Sequence, residues 1–339
     1  MVSPLPLLRL MHGFTLTKTL AAAVELDLFG RIAKADGLTR QEAARELGIA
    51  DRPADLLLAA CAALGLLGKT GDTYVNSPLA DAYLVPGRPH YFGGLIRFMD
   101  GRQYPAWHNL TTALREDRPV AWDPSVDSGP FEMEDPQVVP LFWETMFALS
   151  TFTGRDLAGA LPMLAGHTRL LDVGGGWGAM AIELCRRWPN LRATVYDLAP
   201  VCETTRQRVD EAGFGERIAT AAGDFFADDE LPGGHDVIVL SSILHDWDEK
   251  QNRSLLRKCF RALEPGGMVV VSEFFLDEER TGPPEAALMG LTMLVETPGG
   301  KNYATGEYTA WLLDAGFERA ESIPFEAVGS NGALIARKP

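Results

Sequence analysis

A glycine-rich turn separates an apolar run from a helical pattern near the middle of the chain. Residues 169–178 read Arg-Leu-Leu-Asp-Val-Gly-Gly-Gly-Trp-Gly, and a helical pattern follows up to Arg187. Glycine permits positive φ and lets backbone N–H groups approach a ligand closely. Asp197 ends the next apolar run, 19 residues after Gly178, where nucleotide-binding βαβ units place the acid that holds ribose hydroxyls. The spacing favours a nucleoside site over an ordinary turn with a solvated aspartate.

Apolar runs and helical patterns alternate from this turn onward. We predict strands at 169–173, 192–196, 218–222, 235–241, 267–274, 316–323 and 332–337. We predict helices at 178–187, 200–212, 248–263 and 305–315. Such alternation indicates a parallel sheet covered by helices on both faces, with its ligand crevice at the carboxyl ends of the strands.

The first part of the chain predicts a helical domain. Residues 4–30 have helical periodicity with more than one apolar face, which favours contact with a second subunit over burial within one chain. Thr39 and Glu42 have capping-box spacing, and two short strands about Gly71 follow a second helix. This is a winged-helix pattern. The second helix, 52–64, is nearly free of basic residues, so a dimerising role is favoured over DNA reading.

Composition narrows the classes of partner. Lys and Arg number 31 against 46 Asp and Glu, which gives a net charge of −15. Phosphate contacts need clustered basic residues, so we expect neither nucleic acid nor a membrane surface as partner. No apolar run reaches the length of about 18 residues that predicts a transmembrane helix. The four cysteines form no Cys-x-x-Cys pair, which indicates reduced thiols and a cytoplasmic location.

Residues that could bind a ligand or transfer a proton follow two further predicted strands. Asp224 and Phe225 follow the third strand, where an acid can accept a bond from the exocyclic amine of adenine and a ring can pack on the base. Their other interpretation is a turn aspartate beside a core phenylalanine. His245 follows the fourth strand, and histidine titrates near neutrality, so it can take a proton from a hydroxyl. Its other interpretation is a capping cluster before the helix that starts near Asp248.

Five motifs occur together in one order along the chain. They are Asp172-Val-Gly-Gly-Gly176, Tyr196-Asp197-Leu198, Gly223-Asp224-Phe225-Phe226, His245-Asp246-Trp247 and Pro298-Gly-Gly-Lys301. This set resembles the S-adenosylmethionine-dependent methyltransferases of the caffeic-acid and acetylserotonin O-methyltransferase type, a family with bacterial members that methylate antibiotics and pigments. The resemblance covers nearly the whole chain, and the set is specific although each single motif is not.

The resemblance implies a fold and partners. The fold is α/β, a Rossmann-like class I methyltransferase sheet with a mainly helical N-terminal winged-helix dimerisation domain. We expect that winged-helix-like domain at 1–95, a helical linker and substrate-pocket segment at 96–165, and the Rossmann-like S-adenosylmethionine-binding catalytic domain at 166–339. The implied partners are a small-molecule acceptor and a second copy of the chain, joined through the N-terminal domain.

The resemblance also implies where the cofactor S-adenosylmethionine binds. Gly174 and its neighbours would hold the methionine part, Asp197 the ribose, and Asp224 with Phe225 the adenine. Ser241 stands where the family often contacts the cofactor. The implied cofactor residues are Ser150, Gly174, Gly175, Gly176, Asp197, Leu198, Gly223, Asp224, Phe225 and Ser241.

The implied reaction is O-methylation of a phenol or enol hydroxyl on a small secondary metabolite. His245 matches the family's catalytic base, and Glu273 matches the acid that orients it. Asn302 stands in the catalytic set where the family usually has a second orienting glutamate, so the chain departs from the pattern there. The implied acceptor-binding residues are Met146, Trp107, Asp246 and Met293.

Other interpretations of the same residues stay open. His245, Asp246 and Glu296 could hold a divalent or ferric ion, which would assist C-methylation of an α-keto acid. Glu296 could equally be a solvated or salt-bridged carboxylate at a helix end. Outside methyl transfer, the alternatives are a cofactor-binding regulator and a nicotinamide dehydrogenase, although Ala179 replaces the last glycine of the G-x-G-x-x-G pattern.

Overall fold

A computed structural model describes residues 2–122 and 138–339. The described residues divide into two compact units. Residues 2–105 and 138–145 form the first unit, and residues 106–122 and 146–339 form the second. No helix within these described ranges is long and apolar enough to cross a bilayer.

Helices dominate the first unit. They are α1 (Leu5–Met11), α2 (Gly13–Glu25), α3 (Leu28–Ala35), α4 (Arg40–Leu47), α5 (Asp51–Ala63), α6 (Pro78–Tyr83) and α7 (Gly93–Phe98), followed by a π-helical turn, Met99–Gln103. The antiparallel strands β1 (Leu38–Thr39), β2 (Leu67–Thr70) and β3 (Thr73–Asn76) lie in the order β1, β3, β2. Thr39 and Glu42 exchange the two predicted capping-box bonds, and the element order confirms the winged-helix pattern.

A seven-stranded sheet organises the second unit. Its strands are β4 (Arg169–Val173), β5 (Arg192–Asp197), β6 (Ile218–Ala222), β7 (His235–Ser241), β8 (Leu263–Glu273), β9 (Glu318–Pro324) and β10 (Gly332–Arg337). They lie in the order β6, β5, β4, β7, β8, β10, β9. The pairs from β6 to β8 are parallel, whereas β10 is antiparallel to both β8 and β9. The carboxyl ends of five strands therefore meet at one edge.

The helices that accompany this sheet come from both sides of the glycine turn in the sequence. They are α8 (Tyr104–Trp107), α9 (Leu110–Glu116), α10 (Val138–Ala160), α11 (Ala179–Arg187), α12 (Ala199–Glu211), α13 (Glu249–Ala262), α14 (Pro284–Glu296) and α15 (Thr305–Ala315), with 3-10 turns at Pro162–Gly166 and Leu244–Asp246. Successive residues of β4 face opposite cores. Leu170 packs with Leu157 and Leu184, and Leu171 packs with Leu255 on the other face. Helices thus shield both faces, as predicted.

All seven predicted strands and all four predicted helices of the sheet domain are present, with two differences. The sheet is not wholly parallel, because β10 inserts antiparallel between β8 and β9. The sequence prediction also lacked α14, whose Gly290 and Thr292 lower helix propensity. The backbone of α14 lies close to the turn Leu244–Asp246, so the missing helix borders the candidate site.

Candidate active site

The glycine turn after β4 has no room for side chains at Gly174 and Gly175. Gly174 has φ of +68° and Gly176 has φ of +56°, a region that costs other residues about 1–2 kcal/mol. A Cβ atom added to Gly174 would lie 2.6 Å from Ile243 Cδ1, and one added to Gly175 would lie 2.5 Å from Asp172 Cγ. The turn therefore presents bare backbone at the edge of the sheet, as a close ligand approach requires.

Asp197 joins the glycine turn to the end of β5. Its Oδ2 accepts a hydrogen bond from the N–H of Gly176 at 2.8 Å, and its Oδ1 accepts one from the N–H of Leu198 at 2.7 Å. Burial raises the pKa of Asp197, and these two N–H donors oppose that rise. Each carboxylate oxygen keeps a second acceptor position, so Asp197 can still accept from ligand hydroxyls. The structure thus brings four predicted cofactor residues, Gly174 to Gly176 and Asp197, together.

Asp172 is a buried acid that sequence reasoning treated only as part of a motif. Its side chain is 1% exposed, and within residues 2–122 and 138–339 its Oδ2 has no hydrogen-bond partner. Burial, followed by the charge of Asp197, raises the pKa of Asp172 to about 7. The signal in the sequence was a single acid inside an otherwise apolar strand, a position that normally carries no charge.

The loop after β6 lies against the glycine turn. A carbon of the Phe225 ring lies 3.6 Å from the position that a Cβ atom would take on Gly174. One carboxylate oxygen of Asp224, Oδ1, accepts the N–H of Phe226 at 2.7 Å, so this exposed acid stabilises its own loop. Tyr196 Oη donates to Asp228 Oδ2 at 2.6 Å and ties the same loop to β5. Sequence reasoning missed this Tyr196–Asp228 bond, since the two residues are distant in the chain.

Glu273, at the end of β8, organises the turn that carries His245. Its Oε2 lies 2.6 Å from His245 Nδ1, and its Oε1 accepts the N–H groups of Ile243 at 3.0 Å and Leu244 at 2.9 Å. Glu273 is fully buried. A carboxylate only accepts hydrogen bonds, so Nδ1 of His245 carries the proton and Nε2 of the neutral ring keeps its lone pair. The predicted pair of His245 and Glu273 is thus in direct contact.

Two further acids shape the electrostatics at His245. Burial lowers the pKa of His245, but the charges of Glu273 and Asp246 outweigh it, and the net shift is upward. Asp246 Oδ1 lies 3.5 Å from Nε2 of His245. Burial, with the charges of Glu273 and Glu296, raises the pKa of Asp246, and His245 opposes that rise. The turn therefore favours the protonated imidazole, which is the product of taking a proton from a hydroxyl.

The structure places the remaining predicted residues less centrally. Ser241 ends β7 beside Ser272 of β8, and Met293 is buried on α14. Met146 and Ser150 are half-buried on α10, and Trp107 is half-buried at the end of α8. Among the described residues, no hydrogen bond joins these five residues to His245. Their roles stay predictions.

The side chain of Asn302 donates its hydrogen bond to the backbone and not to the imidazole of His245. Its side chain is 2% exposed, and its Nδ2 donates to the carbonyl of Phe274 at 2.6 Å. This bond ties the 298–302 loop to the end of β8, next to Glu273. The geometry gives Asn302 a structural contact, and its membership of the catalytic set stays a prediction.

The residues of the alternative metal site do not form one. Across residues 2–122 and 138–339, no group of three or more His, Cys, Asp and Glu side chains is arranged to hold a metal ion. His245, Asp246 and Glu296 are therefore not arranged as the set of metal ligands that the C-methylation alternative needs.

Comparisons with known proteins agree with this geometry. Residues 107–318 match the O-methyltransferase domain, and residues 8–86 match the O-methyltransferase dimerisation domain. Over 335 residues, 99% of this chain and 95% of the relative, the chain is 46% identical to 3-hydroxy-5-methyl-1-naphthoate 3-O-methyltransferase of Streptomyces sahachiroi.

Two more similarities extend over nearly the full length. The chain is 35% identical over 337 residues to the tetracenomycin polyketide synthesis 8-O-methyl transferase of Streptomyces glaucescens, covering 99% of this chain and 97% of the relative. The structure of human N-acetylserotonin methyltransferase in complex with S-adenosylmethionine superposes with a TM-score of 0.87 at 29% identity, covering 100% of this chain and 98% of that one.

Proposed function

Since this chain belongs to the O-methyltransferase family and is a methyltransferase that uses S-adenosylmethionine, we propose that it methylates a ring hydroxyl of a fused-ring aromatic secondary metabolite. The observation that carries this proposal is the contact between His245 Nδ1 and Glu273 at the edge of the sheet. The two similar Streptomyces enzymes are named for a hydroxynaphthoate and for tetracenomycin polyketide synthesis, and the two fused rings of a naphthoate support a fused-ring acceptor. A phenol or enol hydroxyl is the reacting group.

The cofactor supplies a methyl group on a sulfonium, and the chain supplies alignment and a base. Gly174 and Asp197 would hold its amino-acid and ribose parts, and Phe225 would pack on its adenine. The orphaned Oδ2 of the buried Asp172 fits a cationic group approaching the glycine turn. These residues lie within one continuous edge of the sheet, which suits a single extended ligand.

His245 would remove the proton of the acceptor hydroxyl through Nε2. Glu273 holds the ring through Nδ1 and stabilises the imidazolium that forms, because its charge favours the protonated ring. Asp246, beside Nε2, would bind the acceptor at the same place. The helix α14, with Met293, borders the turn and would form part of the acceptor wall.

The test is methylation of hydroxynaphthoates by the purified chain, followed by mass spectrometry and by the position of the new methyl group. The variant His245→Ala should lower kcat by about 10²–10⁴-fold and still bind the cofactor by calorimetry. The control His235→Ala alters the opposite end of the same strand, where the ring contacts Thr194 Oγ1, and should keep the rate. Full activity in His245→Ala, or a methyl group on carbon, would contradict the proposal.

The same premise extends to assembly and location. We propose a homodimer through residues 1–95, with residues 96–165 as the linker and pocket segment and 166–339 as the catalytic domain, in the cytoplasm. On α1 and α2, large apolar side chains such as Leu10, Met11 and Phe14 are 79%, 67% and 54% exposed, and a second copy would cover them. Sedimentation of Leu10→Asp as a dimer equal to the wild type would argue against this interface.

A further inference from the structure

The turn that carries His245 exposes carbonyl groups as well as N–H groups to the interior, and one side chain binds two of those carbonyls. Asn252 Nδ2 donates to the carbonyl of Leu244 at 2.8 Å and to the carbonyl of Trp247 at 3.2 Å. The Asn252 side chain is fully buried. Leu244 and Trp247 flank the two residues of the turn, His245 and Asp246, so the two bonds span that turn.

Asn252 occupies a position where the fold would otherwise place an apolar residue. On α13, the buried stripe continues with Leu255, Leu256 and Cys259, all fully buried, at the spacing of one helix face. An amide buried among such residues costs free energy unless it is hydrogen-bonded. The Asn252 amide nitrogen donates to two turn carbonyls, whereas its Oδ1 has no hydrogen-bond partner among the described residues. The two donated bonds are therefore the contacts that an amide gains at this place.

The helix that carries Asn252 has a fixed start. Asp248 Oδ1 accepts the N–H of Gln251 at 2.8 Å, and Gln251 Oε1 accepts the N–H of Asp248 at 3.3 Å. The N–H of Asn252 itself donates to the carbonyl of Asp248 at 3.0 Å. This capping box holds the first turn of α13 directly after the His245 turn, so the amide is presented from a rigid element.

We infer that Asn252 is a positioning residue that sets the orientation of the His245 imidazole by holding the carbonyl side of its turn. Glu273 binds the N–H groups of Ile243 and Leu244, and Asn252 binds the carbonyls of Leu244 and Trp247. The turn is thus held on both of its polar sides. The inference rests on the proposed role of His245 as base; Asn252 itself touches no reacting atom.

Tyr303 donates one further hydrogen bond to the same turn. Its hydroxyl donates to the carbonyl of Trp247 at 2.8 Å, an acceptor that Asn252 shares. Removing Tyr303 Oη therefore leaves the Asn252 bond to the Trp247 carbonyl in place, whereas removing the Asn252 amide takes away the side-chain donor of the Leu244 carbonyl. The two variants should differ in the size of their effect.

The experiment compares Asn252→Ala with Asn76→Ala, a matched control in the first unit where Nδ2 donates to the carbonyl of Phe29 at 2.9 Å. Both variants should lose thermal stability, because each loses a bond from its amide nitrogen to a backbone carbonyl. Asn252→Ala alone should lower kcat by about 10–100-fold, because a small misplacement of a base costs that much, with an unchanged KM for S-adenosylmethionine. Tyr303→Phe should lower kcat less, and Asn252→Asp, which sets a carboxylate against two carbonyls, should lower it more.

A second readout does not depend on turnover. Nitrogen-15 spectra of the imidazoles should show that Asn252→Ala displaces the titration midpoint of His245 and that Asn76→Ala does not. Unchanged kcat and an unchanged His245 titration in Asn252→Ala would overturn the inference. If the wild type methylates no hydroxylated acceptor, the proposed function fails, and the His245 titration still decides whether Asn252 positions the ring.

Discussion

The turns at the carboxyl ends of β4 and β7 differ in what fixes their conformation. At the first, Gly174 and Gly175 present bare backbone, and an added Cβ atom would collide with Ile243 or Asp172. At the second, the backbone is ordinary except for Ser242, with φ of 56°, and buried side chains do the holding. An added side-chain atom should therefore distort the first turn, whereas the loss of a hydrogen-bonding side chain should distort the second.

The two turns are sensitive to different substitutions. Backbone conformation at the glycine turn is local, so its tolerance depends on each residue's own φ and on its immediate neighbours. The His245 turn depends on Glu273, which is 28 positions away in the chain and fully buried. An uncompensated change there leaves a buried charge or a buried donor without its partner.

The largest effect should come from Glu273→Gln. An amide can accept from the two turn N–H groups or from the imidazole, but its NH₂ group then opposes one of them, so the ring loses its orientation. We expect kcat to fall by about 10²-fold or more, with little change in cofactor affinity. The control Glu183→Gln alters a buried acid of α11 that bonds Arg155 and should cost stability without this loss of rate. A wild-type kcat in Glu273→Gln would show that the Glu273 carboxylate does not hold His245 in its reactive orientation.

The next effect should come from Gly174→Ala, measured as the dissociation constant of S-adenosylmethionine. The added Cβ atom meets Ile243 Cδ1 at 2.6 Å and forces the turn to move, so we expect affinity to fall by about 10-fold or more, the equivalent of about 1.4 kcal/mol. Gly213→Ala is the matched control, because Gly213 also has positive φ, +79°, but nothing lies within 4 Å of its added Cβ atom. Equal dissociation constants in both variants would show that the collision with Ile243 does not affect cofactor binding.

The third effect concerns pH. Burial lowers the pKa of His245, but the charges of Glu273 and Asp246 outweigh it and raise that pKa to about 9. The ring therefore stays mostly protonated, and unable to act as a base, well above the ordinary value of about 6.5. The ratio kcat/KM for the acceptor should therefore rise about tenfold per pH unit below that pKa and then level off. In Glu273→Gln the midpoint should move to lower pH, since a raising charge is gone. A midpoint below that of free histidine in the wild type would contradict this account.

The smallest effect should be on stability, in Asp172→Asn. The folded-state pKa of Asp172 is raised to about 7 by burial and by Asp197. The contribution of Asp172 to the free energy of unfolding is therefore fully present below the unfolded pKa of about 3.9 and is lost as the pH rises through about 7. The variant has no such decline, and its melting temperature relative to the wild type should increase with pH. The exposed control Asp72→Asn should show no such trend. A difference that is constant across pH would show that Asp172 stays ionised at little cost.

Local patterns in the sequence determine much of the fold. The alternation after residue 169 predicted seven strands and four helices that the structure contains, because buried parallel strands are continuous apolar runs and helix ends carry local signals. The antiparallel insertion of β10 and the helix α14 were not predicted. Strand order depends on contacts between distant segments, and α14 contains Gly290 within an apolar sequence that has no clear single face.

The candidate site divides in the same way. Local sequence determined the glycine turn, Asp197 and the position of His245 at a strand end, since φ preferences, spacing and residue type are properties of short segments. The family resemblance implies Glu273 as the acid that orients His245, and the structure shows their contact. Only the tertiary structure decided that Asn302 bonds to Phe274 and that Asn252 bonds to the turn. Those contacts join residues of different strands and helices, and only the packed core brings their polar atoms within hydrogen-bonding distance.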